Sequence, residues 1–474
     1  MSTVDRRDFL KIAGVGAGAL VSGCATAPGF LRSGRASSNI VVVGAGAFGG
    51  WTALNLRRMG ARVTLVDMLG PGNSRATSGD ETRGVRSSYG DRPHGELWMQ
   101  WAREAMVRWK AWDAEYAKPL KMRVFFTTGD VIFRTDWEPF LTQTRAWWEK
   151  NEIPHEVLTG DEARKRWPQF AINDIKVALY EPDAGVVRAR RATESVAEVF
   201  RYEGGRMVIG RVVPPEPGNF DGHTLRLTNG DTISGDAIVF AVGPWLGKTF
   251  DLMKNRMRTP LGSVFYYGTP VDNQRFLFPN MPSWNFPGVT GWPGLPVDNR
   301  GFRVRGGGGG GAQPAAAAGG VASATASSAA PTGASPAGAP AGTSVAAPPA
   351  PAPAPAPNVT DPDLSTRWVD ADRVQRSRQF VVERFPDLKD APLLETRSCH
   401  YESTSSRNFI IDQHPGLANV WIAGGGNAEG FKSGPVIGEY VAKRVLGDAG
   451  DPAIAKQFVI PATEFDPNAP RRGD

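Results

Sequence analysis

The sequence predicts a mixed α/β fold, and three observations carry that expectation. Between residues 40 and 67 a β-branched run meets a glycine-rich turn, a helix-like stretch and a second β-branched run that ends in an acid. Short strands with turn signals mix with helices through the middle of the chain. Near the other end, the apolar run Val420-Trp421-Ile422-Ala423 enters Gly424-Gly425-Gly426, and a helix-like segment follows from about Val436.

In chain order, residues 1–37 come first and read as a leader. Asp5-Arg6-Arg7-Asp8-Phe9-Leu10-Lys11 precedes an apolar, glycine-rich stretch from Ile12 to Val21. A charged start before a short apolar run is a targeting segment, and paired arginines point to twin-arginine export. The stretch is about half the ~20 residues that span a bilayer. Val21-Ser22-Gly23-Cys24 resembles a lipoprotein box, whose acylated cysteine would anchor the protein to the cell envelope. Ala25-Thr26-Ala27 offers the other reading, ordinary cleavage and release into the periplasm.

Ile40–Val43 is the first strand of the body, and Gly44-Ala45-Gly46-Ala47-Phe48-Gly49 follows directly. Gly44 permits a tight turn, Gly46 lets the backbone approach a pyrophosphate, and Gly49 lets the helix pack closely on the strand. The helix N-terminus then faces the phosphates. A second strand, Val63–Val66, ends at Asp67, placed to accept hydrogen bonds from ribose hydroxyls. The unit reads as a Rossmann-like dinucleotide site. Further on, Asn229-Gly230 between alternating apolar residues predicts a hairpin within 224–233. Ala237–Val242 is another buried strand, ended by Gly243-Pro244-Trp245.

The composition fits this organisation. The chain has 474 residues, with 56 Gly and 38 Pro, an excess partly concentrated in residues 306–357. That segment holds 20 Ala, 11 Gly, 10 Pro and 5 Ser and no charged or aromatic side chain, so it is expected to stay disordered, as a spacer or a tolerated surface insertion. With 54 basic against 48 acidic residues and no basic run interleaved with aromatics, nucleic-acid binding is unsupported. His94, His155, His223, His400 and His414 form no metal-ligand spacing. Cys24 belongs to the leader, which leaves Cys399 as the lone thiol of the body.

Several motifs in order resemble one family. They are Ser78-Gly79-Asp80-Glu81-Thr82-Arg83-Gly84-Val85-Arg86, Lys165-Arg166-Trp167-Pro168, Glu181-Pro182-Asp183-Ala184-Gly185-Val186, Val242-Gly243-Pro244-Trp245, Cys399-His400-Tyr401, Asn408-Phe409-Ile410-Ile411-Asp412 and Gly430-Phe431-Lys432. Over residues 39–450, apart from the insert, the chain resembles the monomeric sarcosine oxidase family, with its N-methyltryptophan and pipecolate oxidases. These belong to the glycine/D-amino-acid oxidase flavoproteins.

The resemblance implies a discontinuous FAD-binding domain (38–118, 187–250 and 400–455) and a mixed β-sheet substrate domain (119–186, 251–305 and 358–399), with a tail over 456–474. It implies FAD attached covalently through Cys399, where the bland alternative is a buried apolar cysteine. It implies that Arg86 and Lys432 hold the carboxylate of an amino-acid-like amine, the plainer reading being a surface ion pair and a solvated lysine. Thr82 and Arg83 would contact the flavin, and the turn at Gly430 and Phe431 would aim N–H groups at its pyrimidine edge. The implied reaction oxidises the C–N bond of a secondary, N-alkyl or cyclic amino acid to an imine, with O2 reoxidising the flavin to give H2O2. Three departures stand out, one of them a family tyrosine that appears here as Val289 or Thr290. Arg303 replaces a lysine tied to oxygen activation, and a family histidine falls in the polyglycine. A dehydrogenase with another acceptor, or a decayed flavin-binding lipoprotein, therefore remains open.

Overall fold

The computed structural model describes residues 38–296, 300–306 and 360–466. The expected leader, 1–37, and all but the first residue of the insert, 306–357, lie outside them.

The central strand Asn39–Val43 is bordered in parallel by Arg62–Asp67 and Ala237–Phe240. Arg206–Ile209 and Val420–Gly424 extend the sheet in parallel on either side, and the edge strand Ile410–Gln413 is antiparallel. A parallel sheet needs both faces covered, which is why its strands read as unbroken apolar runs; Val41 and Val42 are fully buried. The helix Ala47–Arg58 covers one face and packs against Gly434–Val445. Their backbones approach so closely that a Cβ at Gly438 would lie 2.4 Å from Trp51 Cβ. The late helix starts two residues before the expected Val436, because Pro435 fits the first helical turn, where its missing N–H costs nothing. The expected hairpin is present, with Thr224–Arg226 paired to Thr232–Ser234 and Gly230 at φ 94°.

The second sheet has eight strands in the order Leu393–His400, Leu261–Tyr267, Phe302–Gly306, Val289–Trp292, Ser283–Phe286, Asp130–Arg134, Val177–Glu181 and Glu156–Thr159. Its neighbours are antiparallel except Ser283–Phe286 beside Asp130–Arg134. The strand Phe302–Gly306 alternates with period two. Phe302 and Val304 enter a core with Trp284 and Phe385, while Arg303 reaches across to Asp80. A small sheet of Arg83–Val85, Gly185–Val187 and Phe125–Phe126 lies between the two large ones in sequence and carries the approach to Arg86. The C-terminal segment is packed as far as it is described: Phe458 is buried against Trp101 and Phe409, and Phe465 N–H donates to the Asn255 carbonyl at 2.9 Å. Among the described residues no helix is long and apolar enough to cross a membrane.

Candidate active site

The glycine turn is held by sterics that other side chains fail. Gly44 sits at φ +103°, and a Cβ there would lie 2.4 Å from the Ala241 carbonyl oxygen. A Cβ at Gly49 would lie 1.8 Å from the Gly44 oxygen, so the helix seats directly on the turn. Gly46 has more room, the nearest atom to its Cβ position being Ser78 Oγ at 3.2 Å, and it lines a cleft with Gly44, Asp67, Val212, Trp245 and Phe431. Asp67 is already engaged with the backbone. Its Oδ2 accepts from Ala45 N–H at 2.7 Å and its Oδ1 from Leu69 and Gly70 N–H at 2.8 Å. Burial pushes its carboxyl upward against these three donors. An ionised carboxylate accepts about four hydrogen bonds, which leaves capacity for a hydroxyl in the cleft.

The loop after residue 76 closes the cleft on the side of the second sheet. Arg83 pairs with Asp80 and donates to the Thr77 carbonyl at 2.9 Å. Thr82 Oγ1 accepts from Trp292 Nε1 at 2.9 Å. Cys399, half-buried on its strand, places Sγ 3.7 Å from Arg83 Nη2 and from the Thr77 carbonyl oxygen. The next residue turns the other way, as strand alternation requires: buried His400 joins Thr259 O and Ser365 Oγ, each at 2.7 Å.

Beyond Gly430 and Phe431 the cleft adjoins a polar cavity of about 530 Å³. Arg86 and Glu429 line that cavity, and Lys432, distant in sequence, meets the same carboxylate from a small adjoining pocket. Lys432 is buried, with its carbonyl held by Trp109 Nε1 at 2.8 Å and its ammonium donating to Tyr89 Oη at 2.7 Å. The ammonium also pairs with Glu429. Arg86 Nη2 lies 3.7 Å from Glu429 Oε1, and Arg92 Nη2 lies 3.9 Å from the same oxygen. Burial opposes the charge on Glu429, but Lys432, Arg86 and Arg92 outweigh it and hold the carboxyl well below its usual range. Burial pushes Lys432 down to about 8, with Glu429 acting against it. Neither plainer reading holds: Arg86 is enclosed and Lys432 is out of solvent.

Three participants were missed from sequence. Glu429 stands in a glycine-rich turn with no periodicity to mark it. Asp130 is pushed up to about 7, by burial first, with Arg86 opposing and Glu181 adding. Arg305 shares the face of Arg303. Of that pair, Arg303 is fully buried, donates to Asp80 Oδ2 at 2.8 Å and lies 3.9 Å from the Trp292 ring centroid. Arg305 lines the polar cavity with Arg86 and Glu429.

A glycine cradle, an acid at the second strand and a convergent cationic pair now define the site. The family described as "DAO: FAD dependent oxidoreductase" matches residues 39–444. The chain belongs to this family.

Its relatives include the monomeric sarcosine oxidase of Bacillus sp. (strain B-0618), 23% identical over 424 residues, covering 86% of this chain and 92% of the relative. The peroxisomal sarcosine oxidase of Homo sapiens is 24% identical over 414 residues, covering 84% and 90%. The N-methyl-L-tryptophan oxidase of Yersinia pestis (strain Pestoides F) is 23% identical over 227 residues, covering 48% and 58%. Among solved structures, a fructosyl peptide oxidase matches with TM-score 0.67 at 19% identity, covering 91% of this chain and 95% of that one. The glycine oxidase of Bacillus cereus matches with TM-score 0.65 at 14% identity, covering 91% and 100%. These structures share the fold.

The residues present fit the cofactor of a FAD-dependent oxidoreductase. Packing against Ala241 and Gly44 excludes a Cβ at Gly44 and Gly49 and fixes the turn, and Gly44 and Gly46 line the cleft with bare backbone. Gly44, Gly46 and Asp67 would hold the dinucleotide end. Arg83, Gly430 and Phe431 line the cleft and would hold the flavin end, whereas Thr82 lies outside it, with its hydroxyl taken by Trp292.

Proposed function

We propose that this FAD-dependent oxidoreductase oxidises the C–N bond of a secondary, N-alkyl or cyclic amino acid to an imine, which water then hydrolyses. The observation that carries the reading is the convergence of Arg86 and Lys432 on the Glu429 carboxylate. A site that binds one carboxylate in this way can bind another. Bound FAD would supply two-electron oxidation of the carbon next to nitrogen, and O2 is the proposed final acceptor, reduced with two protons to H2O2.

The protein's own work is positioning. Arg86 can engage a substrate carboxylate through two parallel hydrogen bonds, and Lys432 adds a point charge. Tyr89 and Trp109 fix the two ends of Lys432, so little freedom is left to lose on binding. Glu429 offsets part of this positive charge before substrate arrives and shares the cations with it afterwards. Cys399 is the proposed thioether anchor to the flavin 8α-methyl, and the leader is the proposed twin-arginine export signal with an envelope lipid anchor at Cys24.

Anaerobic titration of the purified holoenzyme tests the reaction. N-methyl or cyclic amino acids should bleach the yellow flavin, and air should restore it with one H2O2 per turnover. An intact, FAD-loaded protein that no amino acid bleaches would sink the reading. A second reading, transfer to an acceptor other than oxygen, draws on Arg303, which keeps a positive charge but is tied to Asp80 and cannot exchange a proton at ordinary pH. In that case bleaching occurs and air fails to reverse it.

A further inference from the structure

Among the described residues the polar cavity is lined by five arginines and three carboxylates. Four of the arginines are engaged. Arg86 and Arg92 face Glu429, Arg134 donates to Asn285 and Glu138, and Arg373 pairs with Asp370 and donates to Ser263. Arg305 is different. It has no ion-pair or hydrogen-bond partner among the described residues, and its nearest aromatic contact is the Tyr401 ring, 6.0 Å away. Yet it is half-buried on an interior strand of the sheet, opposite Val264 on one neighbouring strand and Thr290 on the other.

An enclosed guanidinium without an anion is costly, since charges are seldom left in protein interiors unpaired. Glu429 offsets one cation of the Arg86, Arg92 and Lys432 group, and a substrate carboxylate would offset a second. Glu429 is also the foremost opposite charge felt by Arg305, but it lies outside ion-pair distance and is already shared with Arg86, Arg92 and Lys432, so the burial of Arg305 is only partly offset. The cavity is also roomier than N-methylglycine needs, since about 300–1,000 Å³ is the range for ligands of drug size.

We propose that Arg305 binds a second anionic group on the substrate, a side-chain carboxylate, so that the enzyme acts on N-substituted acidic amino acids. This rests on the amine-oxidation reading above and names its substrate class. Arg305 is the specificity-determining residue, and the planar guanidinium favours a carboxylate through paired hydrogen bonds.

The test compares kcat/KM of the holoenzyme for N-methyl-L-aspartate and N-methyl-L-glutamate with N-methyl-L-asparagine and N-methyl-L-glutamine, which match them in shape without the charge. The acidic pair should be preferred by about 10–100-fold, the worth of a charge-assisted hydrogen bond. Arg305→Met should collapse that ratio to near one, and Arg305→Lys should restore part of it. A wild-type enzyme without the preference overturns the proposal, as does a ratio that survives Arg305→Met. A parallel titration follows the flavin spectrum with glutarate and with butyrate, neither of which has an amine to oxidise. Glutarate should bind at least tenfold tighter, and Arg305→Met should erase the difference. Equal binding of the two acids refutes the second anion site. If no amino acid bleaches the flavin but glutarate is still preferred in an Arg305-dependent way, the reaction fails and the anion site stands. Retained FAD in each variant confirms folding.

Discussion

Arg303 Nη2 lies 2.8 Å from Asp80 Oδ2, and both side chains are almost wholly removed from solvent. Arg83 meets the same carboxylate, and Tyr266 Oη stands 3.4 Å from its other oxygen. One buried anion thus holds two cations from different parts of the chain, fastening the loop that closes the cofactor cleft to the second sheet.

That arrangement is asymmetric, and the asymmetry is measurable. Asp80→Ala leaves two enclosed guanidiniums unpaired and should cost about 3–5 kcal/mol, the usual result of breaking a buried pair. Arg303→Met leaves Asp80 still paired with Arg83, keeps an apolar group against Trp292, and should cost about 1–2 kcal/mol less than Asp80→Ala. Urea unfolding of the two variants decides; equal losses would refute a shared anion.

Substrate affinity should depend on the charge of Lys432. Burial depresses its pKa to about 8, so the ammonium is lost on passing above that pH, and KM for an amino-acid substrate should rise there. Lys432→Arg stays charged and should abolish the rise, while Lys432→Ala should raise KM about 10–100-fold at pH 7. Glu429 favours the charged lysine, so Glu429→Gln should move the inflection to lower pH. Steady-state KM between pH 6 and 10 reads all three outcomes. An inflection that persists in Lys432→Arg belongs to another group.

Much of this was legible in the residues, for physical reasons. Gly44, Gly49 and the runs around them were readable because backbone geometry and a two-sided buried sheet restrict which residues fit. Only the resemblance pairs Arg86 with Lys432 in the sequence, since 346 positions separate them and spacing alone cannot join them; the fold brings both to Glu429. Glu429, Asp130 and Arg305 stayed hidden because their roles come from what faces them. Arg303 and Arg305 occupy equivalent positions on one strand, yet one meets Asp80 and the other a cavity. No pattern along the chain carries that difference.

Asp130 supplies a stability test with a definite sign. Burial pushes its carboxyl up from 3.8 to about 7, Arg86 opposing. A raised pKa means the folded state holds this proton more tightly than the unfolded chain does. Its contribution to stability is therefore full below about pH 4 and lost as the pH rises through 7. Asp130→Asn cannot ionise, so its stability relative to wild type should climb between pH 4 and 8, by at most about 4 kcal/mol. Urea midpoints at pH 5 and pH 8 give the comparison. A difference that does not change with pH, or falls, would mean that Asp130 is ionised in the fold.

The covalent anchor proposed at Cys399 can be checked without any substrate. The sulfur is fixed by its strand and by the loop carrying Thr77 and Arg83, with Arg83 Nη2 at 3.7 Å and the His400 carbonyl oxygen at 3.4 Å. Those contacts hold it beside residues that line the cofactor cleft, and serine would occupy nearly the same place. Acid precipitation of the wild type should carry the yellow colour into the pellet, because a thioether survives unfolding. Cys399→Ser should be yellow when native, since the glycine cradle and Asp67 are untouched, and should release all its colour to the supernatant on precipitation. Mass spectrometry of the peptide containing residue 399 adds the positive arm, a mass increase equal to FAD in the wild type alone. A wild-type pellet without colour, from a protein that was yellow before acid, would make Cys399 an ordinary strand residue and the cofactor dissociable.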